Sequence, residues 1–155
     1  MYEIMLFCHN WFRWIVVFAL IGVCFNYLKA LKSKSKFLGE FRSFKLLQEF
    51  FGHQIGFGLG LYIGLSPFVK HGISNPEDIS DNEIIRFWTL YHGPMMILSF
   101  LILVVSFQVM KKRPEKRVLV MSITSSISLI LIFLAIPWPW LEYGRPWFRF
   151  FWFDI

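Results

Sequence analysis

Long apolar blocks and short charged segments alternate along the chain. The apolar blocks cover about residues 5–28, 46–68, 84–110 and 118–137. Each approaches or exceeds the roughly 20 residues that an α-helix needs to cross a bilayer. Short connections make neighbouring helices antiparallel, so the pattern predicts an all-α integral membrane protein, a four-helix up-down bundle. It forms one domain over residues 1–155. Beyond the fourth block, residues 138–155 form a tail rich in Trp, Phe and Arg. Indole rings favour the membrane–water interface, so the tail is expected to lie along the outer surface and cap the bundle.

Composition agrees with the pattern. Of 155 residues, 56% are hydrophobic, 20% aromatic and only 17% charged, too apolar for an ordinary soluble domain. The first block has no basic segment before it and no small-x-small cleavage site after it. It reads as a retained span rather than a signal peptide. Lys29, Lys32, Lys34, Lys36, Arg42 and Lys45 fill the 29–45 loop, and Lys111, Lys112, Arg113, Lys116 and Arg117 fill the 111–117 loop. The 70–83 loop carries Glu77, Asp78, Asp81 and Glu83 instead. The positive-inside rule therefore predicts cytoplasmic basic loops, with the acidic loop and both termini outside, as in a multi-pass protein of the inner (cytoplasmic) membrane.

These loops account for the net charge of +6. They suit contact with anionic lipid, and no nucleic-acid partner is expected. Cys8 and Cys24 lie about 24 Å apart along one helix and cannot bridge within a chain. No zinc-type cysteine spacing, phosphate-cradling GxxxxGK[ST] or nucleophile–base–acid set is present.

Ionisable side chains inside membrane spans are costly, which makes them functional candidates. His9, His53 and His92 qualify, whereas His71 falls in the acidic loop and reads as solvated. His9 precedes Lys29 by 20 residues and His92 precedes Lys111 by 19. At 1.5 Å per residue both sit about 30 Å from the cytoplasmic edge, level with each other near the outer face. His53 follows Lys45 by only 8 residues, which puts it about 12 Å from that edge.

Two imidazoles facing across a bundle can ligate one haem iron from both sides, so His9 and His92 are the expected axial pair. A three-histidine zinc site is disfavoured by the depth of His53. His53 is the reserve haem ligand. Its other readings are a hydrogen bond to Glu49 or to the Thr124–Ser126 face, and a proton or quinone site. Arg13 shares a helix face with His9 and suits a haem propionate; otherwise it snorkels or pairs with Glu3 or Glu142. Arg86, Arg145 and Arg149 are further outer-side cations. Met96, one turn after His92, is either an alternative axial ligand or an apolar filler. Pro94 frees a carbonyl one turn earlier. Gly52, Gly56, Gly60 and Gly64 recur every four residues and predict a packing face for a helix or a flat macrocycle.

His9-Asn10-Trp11-Phe12-Arg13-Trp14, His53-Gln54 before glycines, His92-x-x-Met95-Met96 and Ile136-Pro137-Trp138-Pro139 resemble small four-span bacterial membrane proteins labelled cytochrome b-like. The likeness covers most of the chain. It is more distant to cytochrome b561-type proteins, which carry two matched histidine pairs where this chain has one. The resemblance implies haem. With the histidine pair it leads to the expectation of a b-type haem and electron transfer, with quinol one candidate donor. Two other classes stay open: a haem-free scaffold subunit of a larger complex or homo-oligomer, and a small transporter.

Overall fold

The computed structural model describes residues 1–33 and 41–150. Lys34 and Lys36 of the first basic loop and residues 151–155 of the tail lie outside the described residues. The secondary structure among them is helical, with no strand. Helix α1 spans Tyr2–Ser33. Helix α2, Phe41–Leu59, runs on into a π-helical segment, Gly60–Leu65. The outer loop holds α3 (Pro67–Ser74) and α4 (Asp78–Asp81). Helix α5 (Glu83–Arg86), a second π segment (Phe87–His92) and α6 (Gly93–Lys112) form one rod, and a 3-10 turn leads into α7, Arg117–Ala135. Three rods are long and apolar enough to cross a membrane: Tyr2–Ser33, Glu83–Lys112 and Pro114–Ala135. The remaining long rod, 41–65, carries Lys45, Gln48 and Glu49 in its first half and is less apolar.

The buried positions explain why the rods associate. In α1 they run Asn10, Arg13, Val17, Leu20, Cys24 and Tyr27; in α6, Met96, Ser99, Leu103, Ser106 and Met110. Helix α7 buries Met121, Ser125, Ser128, Ile132 and Ala135, and α2 buries Phe44, Leu47, Phe51 and Gln54. These runs step by three and four, and Val16, Val23, Ala30, Phe107 and Ser122 widen the buried stripes beside them. That spacing keeps a straight seam on a slightly crossed neighbour, the geometry of left-handed bundles. Around the bundle the order is α1, α2, α6, α7, which leaves α1 and α6 diagonal.

Small residues permit the closest approach. The Ser99 hydroxyl donates to the Ser128 carbonyl and the Ser128 hydroxyl to the Ser99 carbonyl, each at 3.2 Å. Such interhelical bonds contribute about 0.6 kcal/mol apiece in a membrane setting.

The glycine row does not form the expected face. A Cβ on Gly56 or Gly64 would meet nothing within 4 Å, and one on Gly52 would meet only Phe100, at 3.9 Å. Gly60 packs on Met5, while Gly58, outside the row, lies against His9. Four residues advance about 40° beyond a full turn, so a row spaced by four winds off a seam spaced by three and four.

Beyond α7 the chain turns into an irregular strap. Its turn needs glycine at 144, where a Cβ would come within 2.5 Å of the Trp138 carbonyl oxygen. The strap crosses α1. Trp11 Nε1 donates to the Arg149 carbonyl at 3.1 Å and Trp14 Nε1 to the Trp147 carbonyl at 2.7 Å. Arg149 also pairs with Glu3 at 3.0 Å.

Candidate functional site

His92 ends the π segment Phe87–His92, where the backbone turns more widely than in an α-helix. Pro94 follows at once. Lacking an N–H, it favours a local relaxation of the hydrogen-bond ladder. The two π segments face each other. The Tyr62 hydroxyl donates to the Thr89 carbonyl, and the Tyr62 ring covers Gly93 so closely that a Cβ there would sit 2.8 Å from its edge. The resulting turn aims the His92 imidazole inward.

His92 Nδ1 lies 2.7 Å from the carbonyl of Ala135, the last residue of α7. A carbonyl only accepts, so Nδ1 carries the proton and Nε2 keeps its lone pair. Fixing the tautomer through the far nitrogen is how proteins prepare a histidine for ligation. His9 approaches from α1. The two ring centroids are 6.1 Å apart, with their planes at 72°. His9 Nε2 is 3.3 Å from the Gln54 amide. The amide can present either its nitrogen or its oxygen there, so Gln54 serves either tautomer. His9 Nδ1 is buried and has no hydrogen-bond partner.

The pair borders a cavity reached by α1, α2, both π segments, α3, α6 and the strap. Its empty space comes to about 1060 Å³, the part open to the outside included. Among the described residues, five side-chain atoms of its lining are buried without a partner: His9 Nδ1, Asn10 Oδ1, Arg13 Nε, Gln54 Oε1 and Arg145 Nε. Native proteins leave few such atoms. Their convergence on one cavity marks a place for polar guests, water or ligand.

Arg13 is 8% exposed. Its Nη2 donates to the carbonyls of Pro146, at 3.3 Å, and Trp147, at 2.8 Å. Glu3, one of its expected partners, pairs with Arg149 instead. Met96 is buried and lines the cavity. Arg86 stands apart, donating to the Ser80 carbonyl at 2.7 Å in the outer loop. His71 pairs there with Asp78 at 2.6 Å.

His53 is exposed, with Nδ1 2.7 Å from the Glu49 carbonyl and its ring beside Phe12. It is not brought to the histidine pair, for a reason other than the expected one. Gln54 touches His9, so His53 stands only about 1.5 Å from that level. Lys45 proves a poor depth marker because it lies inside α2, four residues past Phe41. Rotation by about 100° per residue turns His53 away and Gln54 inward.

Sequence reasoning passed over Gln54 and Asn10. The signal was available: Leu47, Gln54 and Leu61 are seven apart, as are Asn10, Val17 and Cys24, so both polar residues fall on apolar seams.

Among the described residues no group of three or more His, Cys, Asp or Glu converges. Searches of protein-family models, curated proteins and solved structures return no match. The functional reading therefore stands on the site.

Proposed function

We propose that this protein binds a b-type haem within its helical bundle and transfers electrons in the membrane. The observation that carries the reading is the His9–His92 pair, two imidazoles from diagonal helices with 6.1 Å between ring centroids. His9 and His92 would hold the iron of such a group from their two helices; in the structure their rings meet edge-on, with the planes at 72°.

The donor set fits that group. His92 offers Nε2 with its tautomer fixed by Ala135. His9 has a buried nitrogen without a partner, and Gln54 steadies its ring. Met96 supplies a soft, apolar wall. Arginines rather than carboxylates border the cavity among the described residues. When bound, haem supplies reversible one-electron chemistry, with a potential set by axial ligands and burial. The protein's own residues hold and orient the imidazoles, and the strap keeps water from the site.

The finer arrangement belongs to the same proposal. The 41–65 rod is the fourth crossing, both termini face outward, and the bundle sits in the inner membrane. A lipid-soluble quinol is the class of donor that can reach a site at this depth. The protein purified in mild detergent after haem-replete expression should show a Soret band and reduced α and β bands. His9→Ala and His92→Ala should each abolish the six-coordinate spectrum. A colourless protein would overturn the reading, and an unchanged spectrum in both variants would overturn the ligand assignment.

A further inference from the structure

The cavity holds more positive charge than the chain neutralises. A guanidinium stays protonated in proteins, and buried charges are normally paired. Arg13 is 8% exposed and forms no ion pair among the described residues. Its fixed partners are two strap carbonyls, and its Nε is buried without an acceptor. Arg145, partly exposed, likewise forms no ion pair among the described residues. Its guanidinium carbon lies 5.3 Å from the Phe68 ring centre and 5.1 Å from that of Trp88, with Nε buried and unpartnered. The two rings hold it in place. Its backbone N–H is fixed as well, donating to the Pro137 carbonyl at 3.0 Å. Among the described residues no Asp or Glu lines the cavity.

We propose that Arg13 and Arg145 make a carboxylate-binding site at the strap side of the cavity. The ligand is an amphiphilic carboxylic acid whose apolar body lies between α1, the Gly60–Leu65 segment and α6. A guanidinium presents a planar fork that matches a carboxylate, and such charge-assisted bonds are about twice as strong as neutral ones. Leu59, Tyr62, Val69 and Ile97 supply apolar walls for the rest of the molecule. The shared chemistry has two sources, the propionate of a porphyrin or the head of a lipid-derived fatty acid. The site deepens the haem reading, yet it rests on charge and cavity alone and can stand without iron.

The test compares acids with their esters, which keep the body and delete the charge. Full-length protein in nonionic detergent is titrated with iron protoporphyrin and its dimethyl ester, and with cis-parinaric acid and its methyl ester. Quenching of tryptophan fluorescence reads binding of the porphyrins, and probe emission reads binding of the fatty acid. At least one acid should bind ten-fold or more tightly than its ester. Arg145→Gln should cut that preference to three-fold or less, while Arg86→Gln, outside the cavity, should leave it intact. Arg13→Gln should act like Arg145→Gln, but it also loosens the strap. Arg145→Gln therefore decides the question, with helicity by circular dichroism as the check on folding.

A preference for the porphyrin acid alone identifies the propionate as the source. A preference for the fatty acid alone supports the carboxylate site and removes the propionate as its source; the haem reading fails only if neither porphyrin binds. Equal binding of acid and ester in both pairs, or a preference untouched by a folded Arg145→Gln, overturns the proposal.

Discussion

Gln54 shows how much one residue's angular position decides. It is 1% exposed and touches His9, while its neighbour His53 faces outward. Replacing Gln54 with Leu keeps the volume and removes the His9 contact. A buried polar group left unsatisfied costs about 1–3 kcal/mol. Gln54→Leu should therefore lower the thermal midpoint in detergent and shift the α band of the reduced protein, whereas His53→Leu should leave that band in place. Absorbance and melting curves on the same samples check both. The glycines sort by the same reasoning. A Cβ on Gly58 would meet His9 Cε1 at 3.1 Å, so Gly58→Ala should displace the ring and weaken ligand binding several-fold. Gly56→Ala meets open space. It should leave binding unchanged and raise helix stability by up to ~1 kcal/mol.

At the scale of elements, the second π segment sets what surrounds His92. An α-helix continued through 87–92 would carry one residue fewer over the same length and turn everything before it by about 100°. Deleting Leu90, which is 49% exposed, should restore regular winding and turn Phe87 and Trp88, whose rings lie 5.9 and 5.1 Å from that of His92, away from it. The expected result is a folded, helical protein with a shifted α band. Leu90→Ala, which leaves the backbone winding alone, should not shift it. The α6–α7 seam offers a second check. Ser99→Ala with Ser128→Ala removes both reciprocal bonds and should cost about 1 kcal/mol, at 0.6 kcal/mol each. Denaturant titration in detergent reads the difference, and the spectrum should not change.

For the whole molecule the strap closes the cavity and draws on α1 for its anchors. Trp11, Arg13 and Trp14 all donate to its backbone carbonyls, and Glu3 holds Arg149. The motif His9-Asn10-Trp11-Phe12-Arg13-Trp14 thus divides its labour around the helix. His9, Asn10 and Arg13 face the cavity, and the two indoles pin its cover. Trp11→Phe with Trp14→Phe keeps the aromatic packing and deletes two hydrogen bonds, each contributing about 1 kcal/mol. The double variant should release bound haem at least ten-fold faster to a haem scavenger, with the spectrum of the loaded form preserved.

The apolar blocks by themselves determined a helical, membrane-suited chain, because block length and residue hydropathy act locally and need no partner. The level meeting of His9 and His92 was likewise legible. Both are reckoned along rods of similar length from basic anchors at the same edge. Three matters waited for the tertiary structure. The inward residue of α2 is Gln54 rather than His53, since a helix's rotation is set by the seam it packs. The glycine row winds off that seam. Arg13 meets strap carbonyls rather than Glu3 or Glu142, because contacts across more than 130 positions depend on how the last segment folds over the first. Sequence periodicity specifies a helix and its length, but angular phase and the partner of a buried charge are properties of the packed bundle.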